Sequence, residues 1–158
     1  MKDTKYDSRQ DTTAHIERVR ELLMSCIAEL AHRAKVHDAS KLEEPEKSGY
    51  DVCTIRLKNI PYGTPEYKAA LEELKPTLEH HYAANSHHPE HYENGIAGMD
   101  IFDLIEMIMD WKAATERMKD GGDIEKSIAY NKDRFKIDPQ LVSIMENTVK
   151  SMGWKKNA

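Results

Sequence analysis

The chain has 158 residues and a formal net charge of −5, enough for one domain with a buried core and without the basic excess of a nucleic-acid groove or an anionic membrane binder. Hydrophobic residues make up 39% and charged residues 32%, the balance of a soluble, charge-rich globular protein. Cys26 and Cys53 lack CxxC spacing, which excludes a zinc ribbon and argues against a disulfide framework.

The start, MKDTKYDSRQ, has no apolar leader, and no run of about 18 apolar residues follows, so a cytoplasmic protein is expected. Eight methionines against two Phe and two Trp favour helices over strands. In chain order, residues 12–35 place Ile16, Val19, Leu22, Leu23, Cys26, Ile27, Leu30 and Ala34 at three- and four-residue steps. That is the buried stripe of a helix, capped by Asp11 or Thr12, with His15 on its inward side. SKLEEPEKSGY is polar and carries Pro45 and Gly49, which predicts a short helix after His37 and then a loop. A weaker helical signal at 51–60 closes at PYG, residues 61–63. Thr64-Pro65-Glu66 starts the next helix, with a stripe of Tyr67, Leu71, Leu74, Leu78, His81 and Asn85. Pro76 should kink it or split it in two.

NSHHPEHYENGIAG reads as a loop. Asp100 caps a helix over 101–119 that stops at Gly121-Gly122; Asp123 opens one over 124–132, and Asp138-Pro139 a last one ending near Gly153. The expectation is one all-α domain over residues 1–158, with its core between about 12 and 152 and about five to seven helices.

Five of the eight histidines fall between residues 80 and 91. His81 continues the apolar stripe of its helix while His80 is turned away by about 100°, so His81 is the inward residue. His88 follows His81 by seven positions and His87 follows His80 by seven; Pro89 breaks the phase and leaves that choice open. His37-Asp38 stands where the first helix runs out, and a polar helix end is its plain alternative. A buried His15 needs partners for both ring nitrogens. The stretch IFDLIEMIMDWKAATERM is apolar nearly all round, yet Asp103, Glu106 and Asp110 share one stripe. The helix dipole accounts for Asp103. Asp110 has no such reason: it either faces solvent near Arg117 or needs a cation.

Imidazoles and carboxylates together suit Mn, Fe, Co, Ni or Zn, and such ions generate hydroxide near neutral pH and neutralise phosphate oxygens. Lys41, one turn after Asp38, can meet a substrate phosphate or remain a surface lysine. Lys132, Arg134 and Lys136, with Asn131 before them, form a solvated basic face or a phosphate contact. Trp111 and Tyr82 belong to the core or stack on a base.

The order His15, His37-Asp38, distal histidines and a late Asp110 resembles the HD-domain superfamily of metal-dependent phosphohydrolases. HDASK is similar to the HDxxK form of its core motif, and MIMDW to the helix supplying its last aspartate. HDASKLEEPE, NSHHPEHYENG and DLIEMIMDWKAA look, more closely, like an uncharacterised family of bacteriophage and bacterial proteins; that likeness covers most of residues 15–148. The resemblance implies an HD-like helical bundle binding one or two divalent ions (Mn, Fe, Co, Ni, Mg or Zn). His15, His37, Asp38 and Asp110 would hold one ion, and His81 with His87 or His88 a second. Asp38 and Lys41 would be catalytic, with Lys41, Asn85 and Arg134 toward the substrate. The seven-residue spacing of the distal histidines departs from the longer spacing of dinuclear members, and substrate contact by the HH loop is the alternative. The implied activity is hydrolysis of a small phosphorylated compound, a nucleotide foremost, in the cytoplasm of a bacterium or phage host, with a homodimer allowed. The GYP sequence of cyclic-dinucleotide phosphodiesterases is absent. Two rivals stand beside it: an HD-fold di-iron oxygenase, and a non-catalytic phage-encoded helical binder.

Overall fold

The structure is a computed structural model and describes residues 6–58, 60, 64–117 and 122–155. Its elements are six α-helices and three short 3₁₀ turns, with no strand among the described residues, so the protein is all-α. Contacts divide the chain into two units, Met1–Val36 and His37–Ala158.

The first unit is one helix, α1 (Arg9–Val36). It begins earlier than the sequence suggests. The Arg9 amide donates to Asp7 Oδ1 at 3.1 Å and the Thr12 amide to the Ser8 carbonyl at 2.9 Å, so neither Asp11 nor Thr12 is the cap. Pairs such as Arg18–Glu21 and Arg33–Glu29 run along its surface. The apolar stripe is present, but α1 buries none of its residues, and His15 is exposed rather than inward. Periodicity states which residues share a face; burial needs a second element, which a single helix does not contain.

The second unit opens with His37, Asp38 and the 3₁₀ turn Ala39–Leu42, followed by α2 (Glu46–Lys58) and α3 (Pro65–Ala84). The loop expected around Pro45 and Gly49 is confined to residues 43–45, and Glu46 to Gly49 form the first turn of α2. Gly49 is required there by close approach: a Cβ on it would lie 2.0 Å from Thr77 Oγ1 of α3. Pro76, beside that contact, sits inside α3 without splitting it. Cys53 of α2 is buried with Ala70 and Leu74 of α3. The PYG turn and the side chains of Tyr67 and Leu71 lie outside the described residues.

Two 3₁₀ turns, Pro89–His91 and Gly95–Gly98, lead to α4 (Ile101–Glu116), α5 (Ile124–Phe135) and α6 (Pro139–Ser151). Their caps are the expected ones. Asp100 accepts from the amides of Phe102 and Asp103, Asp123 from Glu125 and Asp138 from Gln140. α4 stops at Glu116; the stop expected at Gly121 lies outside the described residues. Met107, Ile108 and Trp111 of α4 close with Ile124 and Ile128 of α5 and Val142, Met145 and Val149 of α6 into the main core. No described helix is long and apolar enough to cross a membrane.

Candidate metal centre

Four elements of the second unit bring their ligand-type side chains to one place. Asp38 adopts a left-handed conformation, φ 56° and ψ 15°, which short polar side chains tolerate and which ends helical propagation after His37. His81 comes from the last turn of α3, His87 and His88 from the loop that follows, and Asp110 from the middle of α4. That loop is tied down from both sides. Asp103 of α4, 1% exposed, accepts from Ser86 Oγ and Tyr92 Oη, both at 2.6 Å, while His91 Nδ1 donates to the Tyr82 carbonyl at 2.9 Å. Asp103, which the helix dipole alone explained in the sequence, is the anchor of the histidine loop.

Asp38, His81, His87 and His88 each offer one donor atom, all within 4.8 Å of one another, and His37, Asp38 and Asp110 do the same. Donors sharing an ion at 2.0–2.2 Å lie roughly 2.8–3.6 Å apart, between octahedral and tetrahedral edges. The observed separations match: His81 Nε2 to His88 Nε2 is 2.9 Å, His81 Nε2 to Asp38 Oδ1 3.3 Å, and His87 Nε2 to Asp38 Oδ1 3.6 Å. In the other group His37 Nε2 lies 3.5 Å from Asp38 Oδ2 and 3.7 Å from Asp110 Oδ1. Asp38 thus presents one oxygen to each group.

The imidazoles are aimed by carboxylates behind them. Glu46, fully buried, accepts from His81 Nδ1 at 2.9 Å and, through its other oxygen, from His80 Nδ1 at 2.8 Å. The Ser40 hydroxyl donates to Glu46 at 3.0 Å and receives the Asn85 amide at 2.8 Å. Glu106 Oε1 accepts from His37 Nδ1 at 2.8 Å and lies 3.2 Å from His87 Nδ1. A carboxylate on Nδ1 holds a proton there and turns Nε2 toward the cluster, the nitrogen that an ion would take. His37, His87 and Glu106 also form a third group of ligand type, but their short Nδ1 contacts make it a hydrogen-bonded brace.

Electrostatics agree. Burial pushes His88 down to about 3, and burial likewise lowers His87, so both rings are neutral and able to ligate. Burial opposes ionisation of Asp38, but His81 and Lys41 outweigh it and hold the carboxyl well below its usual range. Two buried atoms, Asp38 Oδ1 and His87 Nε2, have no hydrogen-bond partner among the described residues, and they face each other across 3.6 Å. Buried polar atoms are seldom left so. A cation between them satisfies both, so the residues fit a divalent metal: the cluster is one that can hold an ion.

Of the residues expected from sequence, His37, Asp38, His81, His87, His88 and Asp110 converge; both loop histidines take part. His15 lies in the first unit and belongs to none of the ligand groups. Lys41 Nζ donates to Asp38 Oδ2 at 2.6 Å. Asn85 steadies Ser40 and the His81 carbonyl rather than standing free toward a substrate. Arg134 pairs with Glu90 at 2.7 Å. The sequence reading missed Glu46 and the bracing role of Glu106. Glu106 carried a signal, its place one turn before Asp110; Glu46 carried none, lying between Pro45 and Gly49.

A cavity of about 560 Å³ adjoins the cluster, and His88 and Asp110 line both. Trp111, 9% exposed, is at once part of the core and part of the cavity wall, with Tyr82.

Residues 4–151 match the family of unknown function DUF5662, so the chain belongs to that family. No curated protein and no solved structure gives a significant match.

Proposed function

We propose that this member of DUF5662 is a divalent-metal-dependent phosphohydrolase acting on a small phosphorylated compound, a nucleotide foremost. The observation that carries the reading is the pair of orphaned buried atoms, Asp38 Oδ1 and His87 Nε2, inside a ring of imidazoles and carboxylates at ligand spacing. The likeness of HDASK and MIMDW to HD-domain motifs supports it.

Asp38, His81, His87 and His88 would hold one ion, and His37, Asp38 and Asp110 a second. Mn, Fe, Co, Ni or Zn suits such donors. When bound, divalent ions supply a water of lowered pKa and neutralise phosphate charge. Glu46 and Glu106 keep the imidazoles in the ligating tautomer. Lys41, which spends one of its three N–H donors on Asp38, has two left for a phosphoryl oxygen. Cys26 and Cys53 are free thiols, which fits a reducing cytoplasm.

The test is elemental analysis of untagged protein, then a phosphatase panel with the recovered metal. Asp38→Ala should lose both metal and turnover. Full activity in metal-stripped protein, or no metal under any loading, would overturn the proposal. A pair of irons activating oxygen is the second reading, favoured by Asp38 offering one oxygen to each group. Two irons per chain, with a near-ultraviolet band that responds to reductant, would establish it instead.

A further inference from the structure

We infer that the cavity between α4 and α5 binds a flat, uncharged organic ring bearing an N–H or O–H donor, and that Asn131 selects that ring. At about 560 Å³ the cavity is far larger than a phosphate group needs and falls in the range that holds small organic ligands. Its lining is mixed, and four aromatic side chains stand in it: Trp111 and Phe135, with ring planes 12° apart, and Tyr82 and Tyr130. Flat faces of this kind take a planar group by stacking.

One polar group in the wall is buried and half-used. Asn131 of α5 is 8% exposed, and its Nδ2 donates to the Ser127 carbonyl at 3.1 Å. A carbonyl only accepts, which fixes the orientation of the amide. Asn131 Oδ1 is therefore an acceptor on the cavity wall with no protein partner among the described residues, open to the cavity and available to a ligand donor. The charges of the lining are nearly balanced: Lys126 and Arg134 against Glu90, Asp110 and Asp123, with Arg134 already paired to Glu90. A wall without cationic excess suits an uncharged ring and disfavours a polyphosphate tail.

Because His88 and Asp110 belong to both cavity and cluster, a phosphate at the cluster would carry its organic part into this space. The substrate class is then a monophosphate ester of a ring-bearing alcohol, rather than an open-chain phosphate or a polyphosphate. That last step rests on the metal-centre reading; ring binding does not.

The experiment titrates full-length, metal-stripped protein with adenosine, guanosine, cytidine and uridine, and with ribose and glycerol as controls that carry no planar ring, read by tryptophan fluorescence and calorimetry. At least one nucleoside should bind and the controls should not. Asn131→Ala should weaken that binding roughly tenfold, the loss for one hydrogen bond left unmade. Tyr130→Ala, at a residue 68% exposed and outside the core, should weaken it several-fold without affecting folding. Nucleoside binding in a protein that takes up no metal would uphold this inference while removing the proposed function. Metal-dependent hydrolysis that treats glycerol phosphate and nucleoside monophosphates alike, and that ignores both substitutions, would overturn this inference and leave the proposed function standing. No nucleoside binding at millimolar concentration, with or without metal, would also overturn it.

Discussion

Glu46 is the sharpest place to test the reasoning, because no ligand list read from the sequence would include it. Its carboxylate is fully buried and accepts from His81, His80 and Ser40. In Glu46→Ala the His81 ring, itself 1% exposed, loses the acceptor that places its proton on Nδ1. Loss of such an outer partner weakens metal binding about 10–100-fold, or about 1.4–2.7 kcal/mol. The consequence can be read as stability. Metal at 100 times its dissociation constant adds about 2.7 kcal/mol to the wild type; at the same concentration the variant should gain only about 0.4–1.4 kcal/mol. Glu46→Gln should behave differently. The amide can turn its oxygen to His81 and its NH₂ to His80, whose ring is half exposed and free to offer a bare nitrogen, so affinity should stay within roughly threefold of wild type. The assay is calorimetric metal titration with thermal melts of stripped and loaded protein. Equal metal affinity in wild type and Glu46→Ala, with the variant folded by circular dichroism, would refute the argument that Glu46 orients the ligand.

Further outcomes follow from other contacts. Asp110 and Glu106 raise His37 to about 9 in the metal-free protein, against the burial that lowers it. A raised pKa means that His37 binds a proton up to about pH 9, so apparent metal affinity should climb with pH until then. Uptake at pH 7 should release about one proton, measured by calorimetry in buffers of different ionisation enthalpy. The same shift contributes stability to the stripped protein that is fully present below pH 6.5 and lost as pH rises through about 9, seen in melts across that window. Asp103→Asn should destabilise by about 1–3 kcal/mol in urea titrations, since an amide cannot accept from Ser86, Tyr92 and the Asp100 amide together. Met145→Ala, at a side chain with no exposed surface in the α4–α5–α6 core, should cost about 2–5 kcal/mol in the same assay while leaving metal stoichiometry unchanged.

Helical class, the caps at Asp100, Asp123 and Asp138, and the preference for His81 over His80 were all legible in the residues. Each depends on interactions within one helix, where three- and four-residue spacing translates directly into a shared face. The histidine loop was not legible to that depth. Beyond Ala84 the backbone is no longer periodic, and His87 and His88 both reach the cluster because Asp103 and the Tyr82 carbonyl hold the loop from outside it.

The amino-acid order by itself determined an all-helical chain and a set of imidazoles and carboxylates able to ligate a cation. Tertiary structure alone decided that Glu46 lies in a helix rather than a loop, through the Gly49–Thr77 approach, and that its carboxylate stands behind His81. It alone joined six of the expected ligands, all of them in the second unit. The reason is physical: local forces set which way a side chain faces along its own helix, but what it meets is set by the packing of segments tens of residues apart.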